Sequence, residues 1–151
     1  MKKIIAVLIM VILSLTIMLS GCAEEQQAAT AAEKKGKIVL ESDVVELAGS
    51  SFTKNKKVVT DDVTGERYEV VRDVEVGFRF RNIANKDIRI KVDCEFYDEN
   101  GDLVGIKQVA REITLPKGYT ERATNTLTNK AVYDGKRKSE IVKAVIVAEE
   151  I

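Results

Sequence analysis

The chain has no histidine and only two cysteines, Cys22 and Cys94, among its 151 residues. Without histidine it lacks the usual base of a hydrolytic triad and the commonest zinc ligand. A carboxylate pair is the remaining route to acid–base chemistry, and no spacing of Asp or Glu marks one out. Gly135-Lys136 is followed by Arg137 and has no glycine-rich lead-in, so it is not a phosphate loop. Charge of one sign is also missing, since 24 Lys and Arg balance 24 Asp and Glu. So neutral a chain has no basic footprint for nucleic acid, which is set aside as a partner. No stretch beyond residue 37 carries a 3.6-residue hydrophobic period of helical length. The expectation is a non-enzymatic protein with no catalytic residues, metal site or cofactor.

One long apolar run is present, from Ile4 to Leu19, broken only by Ser14 and Thr16. Lys2 and Lys3 precede it and the small residues Ser20 and Gly21 follow, which is the layout of a secretory signal peptide. The run is shorter than the ~20 residues of a spanning helix, and Glu24 and Glu25 follow it in place of a stop-transfer cluster. Leu19-Ser20-Gly21-Cys22 resembles the lipobox of bacterial lipoproteins. The resemblance implies cleavage between Gly21 and Cys22 and a diacylglycerol on the Cys22 thiol, often with a further N-linked acyl chain such as palmitate. Two or three chains anchor far more firmly than one, at ~0.8 kcal/mol per buried methylene. It places the mature protein on the extracytoplasmic face of a bacterial membrane.

Removing residues 1–21 takes away Lys2 and Lys3 and no acid, leaving 22 basic and 24 acidic residues and a net charge of −2. Residues 22–37, rich in Ala, Glu, Gln and Lys, read as a tether with a span on the order of 20 Å. Residues 38–151 are enough for one core and not for two lobes of ordinary size. With Cys22 lipidated, Cys94 has no partner within the chain, and packing alone holds the domain.

The domain reads as short strands separated by turns. Val74, Val76, Phe78 and Phe80 alternate with polar residues, as do Ile88, Ile90, Val92, Cys94 and Phe96, and these two runs are expected to form the centre of one sheet. Ala48 to Lys57 reads as a loop. Val58-Val59-Thr60 and Arg67 to Val71 flank a turn containing Gly65, and Asn100-Gly101 reads as a tight hairpin with two positive-φ positions. Leu103 to Ile113 reads as one strand with a bulge near Lys107-Gln108, because its apolar set changes parity there. Leu115-Pro116-Lys117-Gly118 and Asp134-Gly135 are turns, with the only proline placed where a fixed φ helps. Thr120 to Leu127 and Ile141 to Ala148 complete the set. Seven or eight strands in this length predict an all-β, immunoglobulin-like β-sandwich, with a small closed barrel as the alternative.

Within this run, Phe78-Arg79-Phe80-Arg81-Asn82, then Cys94-Glu95-Phe96-Tyr97-Asp98-Glu99-Asn100-Gly101, then Leu115-Pro116-Lys117-Gly118 resemble the FxLYD family of domains of bacterial surface lipoproteins. Cys94 stands where that family has Phe and Phe96 where it has Leu. The resemblance spans Val74 to Leu127 and implies the sandwich fold and an extracytoplasmic setting, without catalytic residues. Residues 37–68 lie outside it and read as extra edge strands.

Candidate contact residues are basic. Arg79, Arg81, Arg89 and Lys91 are expected to share a solvent face, as a patch for a protein or anionic wall polymer or as cross-strand ion pairs with Glu75, Asp93 and Glu95. Lys136-Arg137-Lys138 beside Tyr133 form a denser cluster within tether reach of membrane phosphates. Asp98 to Asp102 has the oxygens of a calcium loop without the Gly and Glu that an EF-hand needs at its sixth and twelfth positions, and reads as a turn. Cys94 shares the phase of Ile90, Val92 and Phe96 and reads as a buried, inert thiol. The overall expectation is a membrane-anchored accessory module for an envelope protein or wall polymer, with a small-ligand or ion-binding module as the alternative.

Overall fold

The computed structural model describes residues 36–123 and 129–151. Eight strands follow in order: β1 Lys37–Glu41, β2 Val45–Thr60, β3 Arg67–Asn82, β4 Ile88–Tyr97, β5 Leu103–Gln108, β6 Ile113–Leu115, β7 Asn129–Tyr133 and β8 Lys143–Glu150, with one 3-10 turn, η1, at Lys138–Glu140. They form an all-β sandwich. One sheet has five strands in the order β1-β8-β4-β5, with β6 also on β4, and the other has three in the order β2-β3-β7.

Alternation makes the two central strands. Val74, Val76, Phe78 and Phe80 on β3, and Ile90, Val92, Cys94 and Phe96 on β4, are each fully buried. Together with Ile146, Ala144 and Ile141 they form one continuous core. Every second residue of a strand faces the same side, so apolar/polar alternation buries one face and leaves the other wet. The two strands do not share a sheet, contrary to the sequence expectation. Each is central in its own sheet, and they meet across the core.

The pairing order is that of an immunoglobulin-type sandwich, in which strands A-B-E face F-C-C′. Here β2-β3-β7 faces β8-β4-β5. The final place beside β8 is taken by β1, which runs parallel to it in the register Lys37↔Lys143 to Glu41↔Val147.

Three local expectations are corrected. Ala48 to Lys57 is not a loop: it lies inside β2, paired with β3 from Val45↔Asn82 to Thr60↔Arg67 with shifts at Leu47/Gly49 and Asn55/Lys56. β2 is an edge strand, so its ladder bonds to β3 hold it although its side chains carry no clean apolar face. Leu103 to Ile113 is not one bulged strand. β5 and β6 pair separately with β4, and the register shift lies between Phe96 and Tyr97. Val109 N–H still donates to the Val92 carbonyl at 2.9 Å, so the chain leaves β4 only after Val109, and Ile106, of the even set, is exposed. Of the expected strand over Thr120 to Leu127, residues 120–123 show a single bridge, Arg81↔Thr120; residues 124–128 lie outside the described residues, and the described strand beside β3 runs from Asn129.

The Asn100-Gly101 turn is also of a different type. Gly101 N–H donates to the Asp98 carbonyl at 3.2 Å and Asp98 N–H to the Asp102 carbonyl at 3.1 Å. Gly101 alone takes the left-handed position, at φ 84°. Glu99 and Asn100 are therefore the central residues, and Gly101 closes a three-residue loop of the bulge type.

Candidate functional site

The four basic residues expected on one face are divided between two. Arg79 and Arg81 lie on the outer side of β3, and Arg89 and Lys91 on the outer side of β4, with the core between the sheets. Each is also engaged locally. The Arg79 guanidinium donates from Nη1 to the Glu121 carbonyl and from Nη2 to the Ala48 carbonyl, both at 3.1 Å. It clamps β2 to the segment that follows β6. Arg81 pairs with Glu46 at 3.1 Å, Arg89 with Glu112 at 2.8 Å and Lys91 with Asp93 at 3.8 Å. Exposed pairs of this kind contribute about 0–1 kcal/mol. The single basic patch does not form.

Lys136, Arg137 and Lys138 do lie together, on the loop between β7 and β8 that holds η1. Arg137 Nη2 bridges Asp98 Oδ2 and Glu140 Oε2, both at 2.7 Å. The Lys138 ammonium donates to the Asp134 carbonyl at 3.3 Å. Lys136 is exposed and makes no ion pair among the described residues. The cluster's charge is thus partly taken up in holding its own loop against the Asp98 turn.

Asp98 is the anchor of that turn. Its Oδ1 accepts from Asn100 N–H at 2.9 Å and Asp102 N–H at 3.0 Å, and its Oδ2 from Arg137. The Asp102 amide, then the Asn100 amide and Arg137, hold its carboxyl below the usual carboxylate range. Both oxygens already have donors, so the cluster is a turn and not a cation cage. Cys94 is fully buried, and burial, with Glu95 adding to it, pushes its thiol up to about 12. So high a value leaves almost no thiolate at neutral pH.

Two features carry no clear signal in the sequence. Glu121 is 7% exposed, yet its Oε2 accepts from Phe80 N–H at 2.8 Å and from Asn129 Nδ2 at 2.9 Å. It stitches β3 to β7 beyond the end of their ladder. Beside it opens a cleft of about 340 Å³ between residues 111–115 and 119–122, with Arg111, Tyr119 and Arg122 on its walls. Neither arginine makes an ion pair among the described residues. No sequence spacing marks this cleft, because its two walls belong to different sheets.

The second feature is an arm. β2 and β3 continue past the core as a two-stranded hairpin through Lys57↔Val70, Val58↔Glu69, Val59↔Tyr68 and Thr60↔Arg67. Val58, Val59, Tyr68 and Val70 belong to no part of the core, and Val63 in the turn is 95% exposed. Asp61 shapes this turn by accepting from Val63 and Thr64 N–H, both at 2.8 Å. The two strands and their Gly65 turn are legible as a hairpin in the sequence; their projection is not.

Gly21 and Cys22 lie outside the described residues. No helix among the described residues is long and apolar enough to cross a membrane. No family model, curated protein or solved structure matches this chain.

Proposed function

We propose that the chain is an extracytoplasmic lipoprotein, anchored to a bacterial membrane through Cys22, whose FxLYD-like sandwich is a non-catalytic module that binds an envelope protein or wall polymer. The observation that carries this reading is Leu19-Ser20-Gly21-Cys22, at the end of a signal-type segment and just ahead of a single all-β domain. The domain's chemistry supports it. Cys94 is a buried thiol with a raised pKa, and the charged groups with the most defined geometry, Arg79, Asp98, Glu121 and Arg137, are used to fasten loops and strands to one another.

The anchor is tested in cells that process lipoproteins. Wild-type protein is expected to take up labelled palmitate and sediment with membranes, and Cys22→Ala to lose both while staying folded. A Cys22→Ala protein that remained acylated and membrane-bound would overturn the reading. Cross-linking in intact cells followed by affinity recovery tests the accessory role, and repeated recovery without a protein or polymer partner counts against it.

The Arg111–Arg122 cleft favours the second reading, a small-ligand module. Its size is at the low end for ligand sites, and Arg111 and Arg122, set among Glu112 and Glu121, are the donors there that could meet an anion. A rise in melting temperature with such an anion, lost in Arg111→Ala/Arg122→Ala, would favour this reading over the first.

A further inference from the structure

The cleft between residues 111–115 and 119–122 has four charged side chains on its walls, Arg111, Glu112, Glu121 and Arg122. Glu112 is taken by Arg89 at 2.8 Å. The other three are uncompensated. Arg111 and Arg122 are exposed and have no ion-pair partner among the described residues.

Glu121 is only 7% exposed, yet no cation among the described residues pairs with its carboxylate. Arg79 donates to its main-chain carbonyl instead. The two bonds that the carboxylate does receive, from Phe80 N–H at 2.8 Å and Asn129 Nδ2 at 2.9 Å, both fall on Oε2. Oε1 accepts none. It is not sealed in the interior either, since the one buried side-chain polar atom without a partner among the described residues is Asn129 Oδ1. Glu121 forms part of the cleft wall, which makes Oε1 an open acceptor there. A carboxylate this buried, met by neutral donors alone, is costly to keep, and a cationic donor reaching Oε1 lowers that cost.

The open groups select a ligand by charge. A bare anion satisfies the two guanidiniums and meets Glu121 Oε1 as a like charge. A bare cation satisfies Glu121 and is repelled by both arginines. A molecule with a carboxylate and an ammonium on one short frame answers both signs, since guanidinium forks pair with carboxylate oxygens and an ammonium donates to a carboxylate. The volume of about 340 Å³ suits a small frame of that kind.

We infer that the cleft is a binding site for an α-amino acid zwitterion, with Arg111 and Arg122 holding its carboxylate and Glu121 Oε1 its ammonium group. This rests on the small-ligand reading of the cleft above.

The test titrates full-length, lipidated, ¹⁵N-labelled protein in detergent micelles with each common amino acid in both enantiomers, with their N-acetyl and amide derivatives, and with acetate and phosphate. At least one free amino acid is expected to shift the amide resonances of residues 111–115 and 119–122 and to raise the melting temperature. Its N-acetyl form, without the cation, and its amide, without the anion, are each expected to bind roughly tenfold or more weakly, the effect of losing a charge-assisted hydrogen bond. In Glu121→Gln the amide oxygen keeps the bonds from Phe80 and Asn129 while its NH₂ replaces Oε1, and the free and N-acetyl forms are expected to bind alike. Arg111→Ala/Arg122→Ala is expected to lose every probe. The comparison of derivatives on wild-type protein carries the test by itself should Glu121→Gln fail to fold. N-acetyl forms, acetate or phosphate binding as tightly as the free amino acids overturn the zwitterion site and leave a plain anion site standing. Shifts unchanged in Arg111→Ala/Arg122→Ala place the binding elsewhere and overturn it as well. Resonances of the cleft that no probe moves remove both the zwitterion site and the small-ligand reading.

Discussion

Asn82 closes β3 with a side chain that is only 2% exposed and fully used. Its Nδ2 lies 2.9 Å from the carbonyls of Lys86, Leu115 and Pro116, and its Oδ1 accepts from Ala84 N–H at 2.8 Å. One amide thus fastens the turn after β3 to the turn after β6. Asn82→Ala strands several of these groups and is expected to lower unfolding free energy by about 2–4 kcal/mol, read by urea titration. Asp98 does similar work with a charge. Its folded pKa is depressed, so its contribution is present above the ordinary carboxylate value of ~3.9 and is lost as pH falls through the folded value. Asp98→Asn should therefore melt below wild type at pH 7, with the gap shrinking below about pH 4. Cys94, buried with a raised pKa, should resist thiol reagents in the native state and react fully in denaturant; rapid native labelling would contradict its packing. The motif residues and these turns are legible as a pattern, and which loops Asn82 and Asp98 fasten to one another emerges only from the folded contacts.

At the level of elements, the strands differ in how much of their stability comes from outside themselves. β3 and β4 bury a face each, and their ends are stitched by Glu121, Asn82 and Asp98. Phe96→Ala on β4 is expected to cost about 3–5 kcal/mol, the range for emptying an aromatic site in a close-packed core. Among the described residues the outer part of β2 and β3 pairs only within its own ladder, and an isolated two-stranded hairpin is marginal in water. Amides of residues 57–60 and 67–70 should accordingly exchange hydrogen faster than those of Val74 to Phe80, by roughly a factor of ten or more. Equal protection would mean that another surface covers the arm in solution. β2 also shows where alternation fails as a guide. Ser50, Ser51, Thr53 and Lys54 give no apolar period, and what makes them a strand is the set of partners from Thr53↔Glu75 to Ser50↔Phe78 supplied by β3.

For the whole molecule, one core joins both sheets, and Cys94 is a free thiol within it. The sandwich of residues 36–151 is expected to unfold in a single cooperative transition whose midpoint is the same with and without reductant, as calorimetry would show. A shift on reduction would reveal a disulfide that the buried thiol does not permit. The candidate surfaces also belong to this scale. Arg79 and Arg89 lie on strands adjacent in sequence and similar in pattern, so they look like members of one patch. They separate because the turn at residues 83–87 carries the chain from one sheet to the other, which reverses the direction in which the second strand's polar face points.

Much of what neighbours along the chain set is readable from the residues alone: the alternation that buries Phe78, Phe80, Val92, Cys94 and Phe96, the turns at Gly65, Gly101 and Gly118, and hence the all-β class. Folding in three dimensions decided which sheet each strand joins, that β2 is continuous, that β1 runs parallel beside β8, and that the arm and the start of β1 lie at the same end of the sandwich. The reason is physical: side-chain period is set over a few residues, whereas strand pairing and sheet crossing are settled by contacts between segments far apart in the chain.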